Sequence, residues 1–306
     1  MKITVLGCGA LGQLWLSALI KAGHEVQGWL KVHQSYLGIA VLTPEQNLYS
    51  HDVITNSPQQ LTQCELLLVT LKAQQIETAL VPLLPYLPAS CPIILLHNGL
   101  GVVDDLPAVT HPLCHAVTTQ AAYRTATQTC HKAWGITQLG PLNDAARSIS
   151  HIADILHHAL PDVAWYNDIK VAAWKKLAVN AVINPLTVKY ECHNGQLMEH
   201  LNEVSILCRE LVSIMNREGI HTEYEPLYHS VITVIQNTSQ NMSSMLQDVR
   251  AQRLTEIDYI NGYLLKRARG YGLTAPHHHA LYQWIKTKES AYAPISLSPA
   301  LPRSWQ

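Results

Sequence analysis

An α/β fold is what this 306-residue sequence predicts: a doubly wound parallel sheet followed by a mainly α-helical C-terminal domain. Three observations predict it. The chain opens on a strand, a glycine-rich turn, a helix and a second strand; further short apolar runs each end in polar residues; and after Pro161 the texture changes to long helical periodicity. The expected organisation is residues 1–167 as the sheet domain, 168–292 as the helical domain and 293–306 as a loose tail with Pro294, Pro299 and Pro302.

The first element is decided by MKITVLGCGALGQLWLSALIKAGHEV, which carries no charge between Lys2 and Lys21. A secretion signal would need a small-residue cleavage site, and none follows. A membrane span would need about 20 apolar residues, whereas Gly7, Gly9, Gly12 and Gln13 interrupt this run. Ile3 to Leu6 reads instead as a buried strand. Gly7-Cys8-Gly9-Ala10-Leu11-Gly12 then gives GxGxxG where a helical run begins, which ends at Gly23 before a second strand from His24 to Trp29. In such a Rossmann-type unit Gly7 permits the tight turn, Gly9 lets backbone approach a pyrophosphate, and Gly12 lets helix and strand pack closely. A merely glycine-rich turn is the plain alternative; the four pieces in frame favour a dinucleotide site.

An NAD site expects an acidic residue about 20 positions on. Here the sequence is Gly28-Trp29-Leu30-Lys31-Val32-His33, with no carboxylate. Lys31, helped by His33, would pair with a 2′-phosphate, so NADP is the expected cofactor. Taken alone, Lys31 also reads as a solvated loop lysine.

The next strands are Leu66 to Leu71, ended by Lys72, and Ile93 to Leu96, ended by His97-Asn98-Gly99. Ligands of doubly wound sheets sit beyond the carboxyl ends of strands, which puts Lys72 and Asn98 beside the cofactor; a solvated lysine and an Asn-Gly turn are the alternatives. His115 to Arg124 and Gly135 to Leu139 complete the strands. A buried helix from Ile169 to Asn184 follows, with Lys176, Asn180 and Asn184 on one face: at 100° per residue the asparagines lie about 40° and 80° from the lysine. One ammonium and two amides on a mostly apolar helix suit a carboxylate or carbonyl, although a snorkelling lysine and capping amides would read the same. A second long helix, Asn241 to Arg269, carries Ser244 and Glu256, about 120° apart. Read alone, Ser244 is a surface serine, Glu256 a partner for Arg250 or Arg253, and Asn194-Gly195 a turn.

Charge and composition narrow the partners. Lys and Arg number 21 against 22 Asp and Glu, so nothing attracts nucleic acid or an anionic membrane, and a small-molecule ligand fits better. Seven scattered cysteines without a CxxC pair suggest reduced thiols in the cytoplasm. His277, His278 and His279 fan about 100° apart and cannot converge on one ion. Pro112 interrupts the spacing of His111, Cys114 and His115. No metal is expected, and self-association is not legible.

Five stretches in this order, MKITVLGCGALGQLWL, LLVTLKAQQ, ILLHNG, WKKLAVNAVINPLT and SSMLQDVRAQRLTEIDYINGYLL, resemble the ketopantoate reductases, or 2-dehydropantoate 2-reductases, of pantothenate synthesis, over nearly the whole chain. The resemblance implies a cytosolic oxidoreductase that reduces 2-dehydropantoate to pantoate with NADPH. It implies that Gly7 to Gly12 hold the pyrophosphate, Lys31 the 2′-phosphate, and that Lys72, Asn98, Ala122 and Glu256 line the cofactor. It makes Lys176 the proton donor, with Glu256 completing the catalytic region and Asn98, Asn180, Asn184, Asn194 and Ser244 holding substrate. Where this chain has Lys31 the resembling enzymes have arginine; lysine keeps the charge and loses the bidentate fork. Another NADP-dependent hydroxyacid dehydrogenase of similar layout and a non-catalytic NADPH sensor are the rival readings, and a proton donor at Lys176 speaks against the sensor.

Overall fold

The computed structural model describes residues 1–292; the expected loose tail lies outside the described residues. In spatial order the sheet runs β11 (Val163–Trp165), β10 (Thr137–Pro141), β7 (Leu113–Thr118), β6 (Ile93–Leu96), β5 (Leu66–Val69), β1 (Lys2–Leu6), β2 (Glu25–Trp29), β4 (Leu48–Thr55), β3 (Tyr36–Leu42), β9 (Thr129–Ala133) and β8 (Ala121–Arg124). The central strands are short apolar runs because both faces are covered. Leu66, Leu68, Ile94 and Leu96 join the core beneath α1 (Ala10–Lys21) and α5 (Ile152–Ala159). Leu67, Val69, Ile93 and Leu95 join the opposite core with α2 (Pro58–Leu61), α3 (Ala73–Leu80) and α4 (Val102–Asp105). The period of two along each strand divides them.

The sheet is mixed rather than wholly parallel. The pairs β3–β4, β8–β9 and β7–β10 are antiparallel. The run expected as one strand from His115 to Arg124 is two strands, because β7 ends where the Thr118 hydroxyl takes the N–H of Gln120 at 3.1 Å and the chain turns out toward β9.

The helical half is organised around α6 (Ile169–Tyr190), whose Leu177, Ala181, Val182 and Leu186 are buried. Around it pack α7 (Leu201–Arg217), α8 (Tyr224–Asn237), α9 (Ser244–Arg250), α10 (Tyr263–Gly270) and α11 (Pro276–Ser290). α6 runs past its expected end at Asn184. Pro185 has no N–H for the Ala181 carbonyl one turn back, and the buried Asn261 side chain supplies that hydrogen bond instead, at 3.1 Å. Asn261 also donates to His278 Nδ1 at 2.9 Å, and His278 Nε2 meets the Leu207 carbonyl at 3.2 Å. His278 is thus a core histidine, held neutral by burial that pushes its pKa down to about 4; its neighbour His277 meets Glu210.

The long helix expected from Asn241 to Arg269 is broken. α9 stops at Arg250, Gln252 takes φ +51°, and one wide turn at Asp258–Gly262 leads into α10. The break is held from outside: the N–H and hydroxyl of Thr255 both donate to Glu289 of α11, at 2.8 and 2.7 Å.

Candidate active site

The glycine loop lies at the carboxyl end of β1. Gly7 has φ +95°, and its N–H donates to the Trp29 carbonyl at 3.0 Å. A Cβ on Gly12 would sit 2.0 Å from the Gly7 carbonyl oxygen, so only glycine lets α1 approach this closely. A Cβ on Gly9 would meet nothing within 4 Å, which leaves open space beside the first turn of the helix. Cys8 turns its sulfur into the core against Gly28, where burial raises the thiol to about 12, so the loop presents its backbone only. Ala10 and Leu11 open α1, and Leu11 reaches the cleft. Asn56 clasps the end of β2 through the N–H and carbonyl of Leu30, and Lys31 stands exposed just beyond. An open glycine loop at a helix N-terminus, with a cation at the next strand end, fits a dinucleotide.

Between sheet and helices lies a cleft of about 880 Å³. Asn98, Thr118 and Ala122 line it from the sheet side, and Lys176, Asn241 and Ser244 from the helical side. Among the described residues the lining includes two lysines, Lys132 and Lys176, and no Asp or Glu. Lys176 projects from α6 and donates to the Thr118 carbonyl. Burial lowers its pKa to about 8, opposed by the nearby charge of Glu256. Beside it His97 and His115 stack with centroids 4.8 Å apart. Burial pushes His97 to about 4 and His115 well below the usual range, so both rings are neutral at pH 7 and the Lys176 ammonium carries the charge on this wall. Glu256 leaves the helix break and crosses to the sheet: one carboxylate oxygen accepts the Ala73 N–H and the other the Asn98 side-chain amide, both at 3.1 Å. Burial raises its pKa despite these bonds.

The structure therefore brings Leu11, Asn98, Ala122, Lys176 and Ser244 to one cleft, with Glu256 behind Asn98. Asn180 and Asn184 follow Lys176 along α6 but do not line this cleft, and Asn184 is buried. Neither side-chain amide has a hydrogen-bond partner among the described residues. Two expected positions are directed elsewhere. Asn194 donates its side-chain amide to Thr238 at 2.8 Å and its N–H to the Asn241 carbonyl at 3.0 Å, so it braces the loop before α9 instead of facing the cleft. Lys72 reaches across to Asp248 of α9 at 2.6 Å, and this ion pair joins the two halves rather than lining the cleft. Glu256 pairs with neither Arg250 nor Arg253; Arg253 meets Asp248. Asp248, Thr118 and His97 were not legible as site residues. His97 adjoins Asn98 in a strand-end triplet and could have been found, whereas Thr118 acts through its backbone and Asp248 through a partner 176 positions away, so neither leaves a local signal.

Comparison with known proteins adds the family. The model for ketopantoate reductase PanE/ApbA matches residues 3–144, and the model for its C-terminal part matches residues 168–289. The 2-dehydropantoate 2-reductase of Yersinia pestis is 50% identical over 305 residues, covering 100% of both chains. That of Shigella flexneri is 48% identical with the same coverage. Among solved structures, the ternary complex of D-mandelate dehydrogenase with NADH and anilino(oxo)acetate has a TM-score of 0.85 at 20% identity, covering 95% of this chain and 99% of that one, a likeness of fold alone. With its two halves matched in order and relatives at half identity along its whole length, this chain belongs to the ketopantoate reductase family.

Proposed function

We propose that this chain, like the relatives named 2-dehydropantoate 2-reductase, reduces the C2 ketone of 2-dehydropantoate, that the product is (R)-pantoate for pantothenate synthesis, and that NADPH is the reductant and Lys176 the general acid. The observation that carries the reading is the Lys176 ammonium, held at the wall of a cleft that no Asp or Glu among the described residues lines, with its pKa lowered by burial to about 8. NADPH, when bound along the glycine loop, supplies the hydride. Hydride arrival at the ketone carbon leaves a developing alkoxide, which Lys176 first stabilises by charge and then protonates. The Thr118 carbonyl orients its Nζ, leaving two N–H bonds for the oxygen. Glu256 fixes the amide of Asn98 beside the reacting groups. Asn180 and Asn184, whose amides are unpartnered, stand one and two turns further along α6 outside the cleft lining, and they would meet the polar groups of the substrate only if the cleft extends along the helix when substrate binds. Lys31 and the absence of a carboxylate after β2 support the phosphorylated cofactor over NADH, and residues 1–167 and 168–292 then act as cofactor and substrate halves. Purified protein given 2-dehydropantoate should consume NADPH, followed optically, and should work far less well with NADH. Equal rates with both cofactors would remove the 2′-phosphate reading, and no turnover with either would remove the reductase reading.

A further inference from the structure

The cleft wall away from the catalytic helix holds a second ammonium that the reaction as described does not use. Lys132 stands on β9 and faces the cleft. Several lysines that reach across this molecule meet acids, among them Lys170 with Glu218, Lys189 with Glu203, Lys266 with Asp104 and Lys286 with Asp258, whereas Lys2 meets the side-chain oxygen of Gln63 and Lys176 the Thr118 carbonyl. Lys132 likewise donates to the neutral side-chain oxygen of Asn241 at 2.8 Å. An ammonium has three donors, so two remain, and among the described residues no acidic side chain lines the cleft to neutralise the charge.

Its neighbours are of the same kind. Asn241 belongs to the loop before α9 that Asn194 and Gly195 fasten through backbone hydrogen bonds to Asn241 and Ser239, both at 3.0 Å. The Asn241 side-chain nitrogen and the Ser244 hydroxyl have no hydrogen-bond partner among the described residues, and both residues line the cleft. A cation, an amide donor and a hydroxyl on a braced support make a donor-rich corner, and a carboxylate, which only accepts, is the complement of that set. The helix stripe, by contrast, offers amides and a lysine committed to the ketone oxygen.

We propose that Lys132 is a specificity-determining residue that binds the carboxylate of the 2-oxo acid, with Asn241 as the neighbouring donor. The inference rests on the proposed reductase function. It makes the cleft selective for a 2-oxo acid over the same ketone without its charge.

The test compares the wild type with Lys132→Met, which keeps the stem and removes the charge, and with Lys132→Arg, which keeps the charge. Lys132→Met should raise KM for 2-dehydropantoate about three- to tenfold, the worth of a partly exposed charged contact, with kcat within about twofold. The inhibition constant of the uncharged lactone of the same acid and the Kd for NADPH should stay at their wild-type values. Lys132→Arg should restore KM to within about twofold. An unchanged KM in Lys132→Met overturns the inference. So does an equal loss for acid and lactone, which would mean a structural role, or a loss confined to NADPH, which would mean that the ammonium serves the cofactor phosphates. Absence of wild-type turnover of 2-dehydropantoate overturns the proposed function and this inference with it, whereas the other outcomes leave that function standing.

Discussion

The glycine loop, which sends Leu11 into the cleft, and the stretch from Arg250 to Gly262, which holds the cleft residue Asn98 through Glu256, are specified in opposite ways. In the loop, three glycines within six residues set the turn, the open space and the close approach, and the decisive contact is between Gly12 and the carbonyl of Gly7. In the other stretch each important group is held by a distant partner: Thr255 by Glu289, Glu256 by Ala73 and Asn98, and Asn261 by Ala181 and His278. One shape is a property of local sequence, the other of the assembled core. Substitutions in the first should therefore act on cofactor binding, and in the second on the junction between halves and on stability.

The largest effect is expected outside both regions, at Lys176 on α6. Lys176→Ala should lower turnover at least about a hundredfold, within the usual worth of a general acid, while NADPH binding stays near normal. In the wild type the rate of reduction should fall as pH rises through about 8, because only the protonated amine donates and burial has lowered its pKa to that value. Steady-state rates across pH 6 to 10 check both points: near-normal turnover in the variant, or a flat wild-type profile there, would remove Lys176 from the proton step.

Next in size is Gly12→Ala. Its new Cβ would meet the Gly7 carbonyl at 2.0 Å and the Thr70 hydroxyl at 2.7 Å, so the loop must shift. Overpacking of this kind costs about 1–3 kcal/mol, and the displaced amides should raise the Kd for NADPH at least about tenfold. Fluorescence titration with NADPH and a denaturation curve separate the two. Wild-type affinity with lowered stability would show that the loop's shape and its ligand are independent.

Asn261→Leu sharpens the contrast from the other side. It leaves the Ala181 carbonyl, freed by Pro185, without a donor in the buried core, and an unsatisfied buried acceptor costs about 1–3 kcal/mol. Urea denaturation should show that loss with NADPH affinity unchanged; a neutral result would mean that water or the helix itself satisfies the carbonyl. This contact also explains what could be read in advance. The central strands were legible as uniformly apolar runs and the glycine loop as a fixed spacing, whereas of the three residues expected on one face of α6 only Lys176 lines the cleft. The continuation of α6 through Pro185 was not legible, since a proline ends a helix unless a group 76 positions downstream takes its hydrogen bond. The break after Arg250 was hidden for the same reason: TEIDYING is acceptable helix sequence, and Glu289 makes the difference.

The smallest expected effect belongs to Lys31, and it tests how far local specification extends. The strand end that carries it is fixed by Asn56, so a longer side chain there should find the same open setting. Lys31 is exposed and makes no ion pair among the described residues. Arginine in its place adds a planar fork that engages a phosphate through two parallel hydrogen bonds. At an exposed site such a gain is small, on the order of 0.5–1 kcal/mol, so Lys31→Arg should lower KM for NADPH about two- to fivefold and leave kcat and the KM for NADH unchanged. The NADH arm decides the interpretation, because NADH lacks the 2′-phosphate: improvement with both cofactors would mean that position 31 touches the shared part of the nucleotide, and the cofactor preference would then have to arise elsewhere along the loop.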